Sequence, residues 1–145
     1  MNTKLTNAFG KVYLTIKVDT ANSWIHVIWE GYLSENNIKT GGQAILETIE
    51  ASGFTCVLND MLLVLGPIRT TDWATDVWAP AVAKAGLKHM ALVNAPDAIA
   101  STDVSNFHNE QTHFQTDVFG NLMDAGDWLR QQCLKRDVEL SLKLT

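Results

Sequence analysis

Apolar and polar residues alternate with a period of two in the first part of the chain. Between Lys11 and Asp19 every second residue is a branched aliphatic, which is typical of a strand with one exposed face. The stretch from Asp19 to Asn22 predicts a turn, since Asp and Asn side chains hydrogen-bond to nearby backbone. Ser23–Glu30 is apolar on both faces. We therefore expect an interior strand that pairs with the first one as an antiparallel hairpin.

The apolar period lengthens to that of a helix after residue 34. Ser34 is a suitable N-cap and Gly53 a suitable stop for a helix that ends near Ser52 and carries one apolar stripe. Gly41 and Gly42 lie inside this helix, and each should weaken it by about 1 kcal/mol relative to alanine. We favour close packing on the sheet as the reason for these glycines, with a ligand contact as the alternative.

The most informative stretch runs from Phe54 to Asn94. It predicts a buried strand over Phe54–Asn59, a loop, a helix over Thr71–Ala85 and a second buried strand over Lys88–Asn94. Such a unit forms a parallel β-α-β crossover, and ligands of open parallel sheets bind where strands end and helices begin. Pro80 predicts either a kink in the helix or a helix that starts near Ala79 after a separate first turn.

The last third of the chain predicts two more helices and a strand, followed by an alternating tail. The helices are expected over Ala98–Glu110 and Asn121–Leu134, with a strand over His113–Phe119 between them. Apolar residues then alternate over Val138–Leu144, which predicts a final strand. We expect this strand to pair with an exposed sheet edge offered by Lys11–Asp19, in a second copy of the chain as one option.

These elements predict one α/β domain with a mixed, mostly parallel sheet of five or six strands and about four helices. The first strand should be antiparallel and at an edge. Residues 1–10 are interpreted as an N-terminal extension, residues 11–134 as the domain and residues 135–145 as the tail that carries the extra edge strand.

Composition narrows the class of protein without naming an activity. The 145 residues suffice for one core, and the net charge of −5 with 11 scattered Lys and Arg residues argues against a nucleic-acid partner. No apolar run approaches the roughly 18 residues of a membrane span, and the N-terminus lacks the apolar core of a signal peptide. We therefore predict a cytoplasmic protein, in which Cys56 and Cys133 are buried free thiols.

Candidate ligand-binding residues cluster at the end of the first strand of the crossover and at the start of its helix. Asp60 would expose a carboxylate at the strand end, although closing the loop would explain it as well. The residues before the helix could hold an anion on free N–H groups, or could simply cap the helix, and the aromatic residue beside them could line an apolar pocket. The candidate residues are Asn59, Asp60, Arg69, Thr70, Thr71 and Trp73.

Two further expectations concern the loop that follows Asp60. Met61–Leu65 is a run of five apolar residues, so it should pack on the protein, a partner or a ligand. If Asp60 serves function and not folding, Asp60→Asn should change stability by no more than about 0.5 kcal/mol.

The patterns required by several kinds of chemistry are missing from the sequence. The four histidines do not have the spacing of a metal site, and no serine, histidine and acid are brought together by the pattern. There is no glycine-rich phosphate loop. We therefore predict no metal, no cofactor and no catalytic residues, and an enzyme is the least favoured class.

Several local patterns resemble the SpoIIAA-like group, which comprises STAS (anti-sigma-factor antagonist) domains and the related CRAL-TRIO lipid-transfer domains. The match is closest to an uncharacterised bacterial STAS-like branch, and it spans about Lys11 to Gln132. It is carried by Trp29-Glu30-Gly31, Val57-Leu58-Asn59-Asp60, Trp73, Trp78-Ala79-Pro80, Ala85-Gly86-Leu87-Lys88-His89-Met90-Ala91 and Trp128-Leu129.

The resemblance implies a non-catalytic regulatory or protein-interaction module, with a homodimer or another protein as partner. The alternative that it implies is a carrier of a small apolar or anionic, lipid-like ligand. One departure from the family matters. Phosphorylated STAS antagonists carry an Asp-Ser-Ser/Thr-Gly type of turn where this chain reads Asn59-Asp60-Met61-Leu62-Leu63, so a kinase-switched role does not carry over.

Overall fold

The computed structural model describes residues 2–144 of the chain, and their side chains as far as residue 133. Its strands are β1 (Asn2–Thr6), β2 (Val12–Asp19), β3 (Trp24–Gly31), β4 (Cys56–Val64), β5 (His89–Val93) and β6 (Gln115–Phe119). Its helices are α1 (Glu35–Ser52), α2 (Thr71–Trp73), α3 (Ala79–Ala85), α4 (Ser101–Glu110) and α5 (Leu122–Leu144), with a π turn (Ala74–Trp78) that joins α2 to α3.

All six strands form one mixed sheet in which neighbours along the chain are neighbours in space. The pairs β1–β2 and β2–β3 are antiparallel, and the three later pairs from β3 to β6 are parallel. The helical crossovers are needed because parallel strands cannot be joined by a tight turn. The predicted single α/β domain with a mixed, mostly parallel sheet is confirmed.

The two faces of the sheet are covered by different helices. The larger core lies between the sheet and α1, α3 and α4, with side chains such as Ile45, Val82 and Val104 fully buried or nearly so. On the opposite face α5 packs on β4, β5 and β6 through Ala125 and Leu129. This division matters for function, because a side chain of a central strand faces either one core or the other.

Helix α1 begins and ends where its sequence predicts. The hydroxyl of Ser34 accepts a hydrogen bond from the backbone N–H of Asn37 at 3.0 Å, and the Asn37 side chain accepts one from the Ser34 N–H at 3.2 Å. At the other end Gly53 has a φ of 71°, a left-handed conformation that glycine adopts without strain. Both helix ends are therefore satisfied by local contacts.

The N-terminal residues correct the prediction of a free edge on the Lys11–Asp19 strand. Strand β1 occupies that edge and pairs with β2. The turn between them is closed by the Asn7 side chain, which accepts hydrogen bonds from the backbone N–H groups of Phe9 and Lys11. The alternation gave no indication of β1, because Leu5 is the one aliphatic residue between positions 2 and 6.

Strand β4 is longer than predicted, and this corrects the expected position of Asp60. The strand runs on to Val64, so Asp60 lies in its middle and not at its end. Within the apolar run, Met61 and Val64 are buried, whereas Leu63 and Leu65 are 55% and 57% exposed. The run therefore packs on the protein only in part.

The predicted strand over Val138–Leu144 is wrong, because helix α5 continues to Leu144. Leu, Lys, Arg and Glu dominate residues 134–144, and these are strong helix formers. Their intrinsic preference outweighs an alternation that spans seven residues. Because this segment is helical and β1 already occupies the edge of β2, the predicted strand pairing with a second copy is wrong as well. A homodimer formed in another way stays a prediction.

The two cysteines are buried as predicted, but they are not free thiols. Cys56 at the start of β4 and Cys133 in α5 form a disulfide across 77 residues of sequence. The bond ties α5 to the sheet within the smaller core. Nothing in the local sequence around either cysteine reports a partner so distant in the chain.

Candidate functional site

A partly open cavity lies on the α1 side of the sheet, between α1, the π turn and α4. The cavity has a volume of about 80 Å³, and its walls are almost entirely apolar. That space exceeds what one buried water needs, so a small organic molecule is the natural size of occupant. Its walls include Trp29, Met61, Trp73, Trp78, Val104 and Phe107.

Three indole rings pack against α1 at its two glycines. A Cβ atom on Gly41 would lie 2.5 Å from the ring of Trp29, which leaves no room for any larger residue. A Cβ on Gly42 would lie 2.9 Å from the Trp73 ring and 3.1 Å from that of Trp78. Close packing therefore explains both glycines, and Gly42 also lines the cavity.

The polar atoms of two of these tryptophans are bound within the protein. The Trp29 indole N–H donates to Oδ1 of Asn59 at 2.9 Å, and the Trp78 indole N–H donates to the Gly42 carbonyl at 2.8 Å. The Asn59 amide also approaches the Met90 sulfur at 3.7 Å. Because these groups already have partners, the two rings are held in place and offer mainly carbon atoms to an occupant.

The π turn shapes the wall that carries Trp73 and Trp78. In this turn the backbone hydrogen bonds span five residues and not four, so that the Ala79 N–H donates to the Ala74 carbonyl. The helix is therefore wider at this point. Pro80 follows directly after the π turn, as the second residue of α3. Residues 71–85 form one continuous helical stretch, so the first segment is not separate from α3, and the irregularity expected at Pro80 takes the form of the π turn. Single π turns of this kind are frequent at functional sites.

Among the described residues that line the cavity, one has an ionisable side chain, and it lies at the mouth. Asp103 of α4 accepts a hydrogen bond from the Ile68 backbone N–H through Oδ2 at 2.9 Å. Outside it, a more polar groove is lined by Asp103 together with Arg69, Thr71 and Asp72. No Lys, Arg or His lies among the described residues that line the cavity itself.

The structure brings three of the predicted site residues together. Asn59, Thr71 and Trp73 line the cavity. Arg69 lies in the adjoining groove. Thr70 is buried, and its hydroxyl has no hydrogen-bond partner among the described residues.

Asp60 faces the opposite side of the sheet, because neighbouring residues of a strand point to opposite faces. Its Oδ2 lies 3.2 Å from Nε2 of His26, and its Oδ1 accepts a hydrogen bond from the Leu62 backbone N–H at 3.1 Å. The side chain is buried and bonded within the fold. The strand-end position that motivated a functional interpretation of Asp60 is wrong.

Several cavity residues were not predicted as site residues from the sequence. Trp29, Val104 and Phe107 follow strand or helix periodicity, so they read as ordinary core residues. Asp103 reaches the cavity mouth through a contact with Ile68, which is 35 residues away in the chain. A short sequence pattern carries no information about such a contact.

The described part of the chain shows neither a metal cluster nor a membrane helix. Among those residues no three His, Cys, Asp or Glu side chains come together as a metal site would require. No helix among them is both long and apolar enough to cross a bilayer.

Comparison with known proteins found no matching family model, no matching curated protein and no matching solved structure. A function for this chain is therefore inferred from the cavity and from the residues that line it.

Proposed function

We propose that this protein binds a small, mainly apolar ligand in the cavity between α1, the π turn and α4. One observation carries the proposal: the cavity is formed within a packed core, and two of its three tryptophan walls are fixed by hydrogen bonds to Asn59 and Gly42. Pockets with apolar walls and few polar groups are the usual sites for small molecules. The groups needed for catalysis do not converge in the described cavity, so the proposed role is binding.

A STAS-like regulatory role remains part of the proposal and is compatible with a ligand site. In such a role the bound molecule would change how the protein meets its partners. The surface next to the cavity supports a second candidate, a protein-interaction module or a homodimer. Tyr32, Leu63 and Leu65 are all exposed at the ends of β3 and β4, close in sequence to the lining residues Leu33 and Met61, and large side chains of this kind favour a covered surface.

The affinity expected for a small apolar ligand is modest, and it determines which assay can detect binding. Burial of apolar surface contributes about 25 cal/mol per Å², so a ligand that buries roughly 150 Å² gains about 4 kcal/mol. A binding free energy of that size corresponds to a dissociation constant of about 1 mM. NMR detects such binding reliably, and the five tryptophans supply natural reporters.

The experiment is a titration with toluene, a neutral single-ring probe, followed by the indole N–H signals. Trp29, Trp73 and Trp78 line the cavity and should shift. Trp24 and Trp128 pack in the smaller core on the other face and should not. The five signals are assigned with single Trp→Phe variants.

A matched pair of variants separates cavity binding from loose association. Ala74 lines the cavity, and Ala74→Leu should fill it and abolish the shifts. Ala51 is exposed in α1, and Ala51→Leu adds the same atoms away from the cavity, so it should bind like wild type. Equal shifts at all five tryptophans, or none up to the solubility limit of toluene, would contradict the proposal.

A further inference from the structure

Building on the proposed function, we propose that the ligand is a small organic cation, an amine in its ammonium form. Its charged head would pair with Asp103 at the mouth of the cavity, and its apolar body would lie among the aromatic rings.

The charge at the cavity mouth is the first argument. Asp103 is the one ionisable group among the described lining residues, so the cavity presents a single negative charge. Its Oδ2 is bonded to the Ile68 N–H, whereas its Oδ1 has no hydrogen-bond partner in the described part of the chain. A carboxylate oxygen with a free lone pair at the mouth of an apolar cavity is a good acceptor for an ammonium group.

The basic residue of the adjoining groove does not cancel that charge. Arg69 lines the outer groove together with Asp72 and Asp103, so the described groove residues carry two acids and one base. The ion pairs formed by described residues do not include Arg69. The groove and the cavity together therefore remain negative.

The aromatic walls are the second argument. Trp29, Trp73, Trp78 and Phe107 all line the cavity. Ring faces attract cations electrostatically, tryptophan most strongly, and ammonium recognition by several aromatic rings is a common use of this attraction. Two of the indole N–H groups, which would repel a cation, are bonded to Asn59 and to the Gly42 carbonyl.

The same arrangement disfavours an anion. A carboxylate in this cavity would meet the Asp103 carboxylate, with no described lining residue to neutralise it. Of the two ligand types expected from the sequence, apolar or anionic, the cavity favours an apolar body and selects against a negative head.

The test compares three probes of nearly equal size at pH 7: benzylammonium, benzyl alcohol and benzoate. Affinities come from the tryptophan indole shifts. We expect benzylammonium to bind about two- to fivefold more tightly than benzyl alcohol, the size of effect given by one partly exposed ion pair. Benzoate should bind more weakly than the alcohol.

Asp103→Asn is the decisive variant, since asparagine keeps an oxygen that can accept the Ile68 N–H bond. It should remove the preference for benzylammonium over benzyl alcohol. Asp97→Asn makes the same charge change at an exposed loop residue outside the cavity, and it should keep the preference. Circular dichroism and a melting curve confirm that each variant is folded.

The outcomes separate this inference from the proposed function. If toluene and benzyl alcohol bind but benzylammonium has no advantage, or if Asp103→Asn keeps that advantage, the ammonium inference is overturned while the cavity proposal stands. If benzoate binds best, the inference is also overturned. If neither toluene nor any of the three probes binds, both proposals fail.

Discussion

Gly41→Ala is the substitution whose effect the packing of α1 predicts most sharply. In an ordinary helix interior this change stabilises a protein by about 0.8–1 kcal/mol, because glycine is the poorer helix former. Here the added Cβ would lie 2.5 Å and 2.7 Å from two ring atoms of Trp29 and 2.8 Å from a methyl group of Leu14. Both neighbours are buried, so neither can move freely.

The two effects have opposite signs, and their sizes decide the result. Overpacking a core costs about 1–3 kcal/mol, and three contacts below 3.0 Å place this site in the upper part of that range. After the helix gain is subtracted, we expect a net loss of about 1–2 kcal/mol. With a urea m-value of about 1–3 kcal/mol/M, the unfolding midpoint should fall by about 0.3–2 M.

Helix α5 offers a matched control at Gly126. A Cβ there would lie 3.5 Å from the Trp24 ring, an ordinary van der Waals contact. Gly126→Ala should therefore raise the urea midpoint, by an amount that reflects helix preference alone. If Gly41→Ala raises it as well, the tight contact between Trp29 and α1 is refuted, and with it the wall of the cavity.

Three other substitutions test separate parts of the fold. A hydrogen bond from Asn22 holds the pKa of Asp19 below its ordinary value of 3.8. The ionised Asp19 therefore stabilises the fold above pH 3.8, and this contribution disappears as the pH falls through the pKa of the folded protein. The stability difference between wild type and Asp19→Asn should shrink below pH 4, and a constant difference from pH 7 to pH 2 would contradict this. Replacing Cys56 and Cys133 with alanine should lower the free energy of unfolding by about 2–5 kcal/mol, because the bond closes a long loop. Wild type should lose a similar amount in dithiothreitol, and an unchanged urea midpoint in this reductant would argue against the disulfide. Asp60→Ala should cost about 1–3 kcal/mol because its buried bonds are lost, whereas a loss below about 0.5 kcal/mol would restore the functional interpretation of this carboxylate.

Local signals in the sequence predicted the elements that depend on local contacts. The cap at Ser34, the stop at Gly53 and the interruption at Pro80 each follow from a residue and its neighbours within one turn. The buried strand around Val57 and the helix that follows it were predicted as a parallel crossover, because strand and helix periods differ clearly there.

The features that were missed depend on distant parts of the chain. The Cys56–Cys133 bond joins residues 77 positions apart, and Asp103 reaches the cavity through Ile68. Asp60 was expected just after the end of its strand, but β4 continues to Val64. An error of a few residues in a strand end therefore changes whether a polar residue is expected at a binding edge or inside the sheet. For the candidate site, the sequence indicated Trp73 and the residues around it, whereas the other walls required the packing of α1 and α4.

The central claim is a preformed apolar cavity beside Gly42, and a crystal of the protein under xenon pressure tests it most directly. Xenon enters apolar cavities that contain no water and is located by its strong scattering. We expect xenon density between Gly42, Trp73 and Phe107, and none in an Ala74→Leu crystal treated in the same way. A Trp73 ring collapsed into that space, or a wild-type cavity without xenon, would contradict the account.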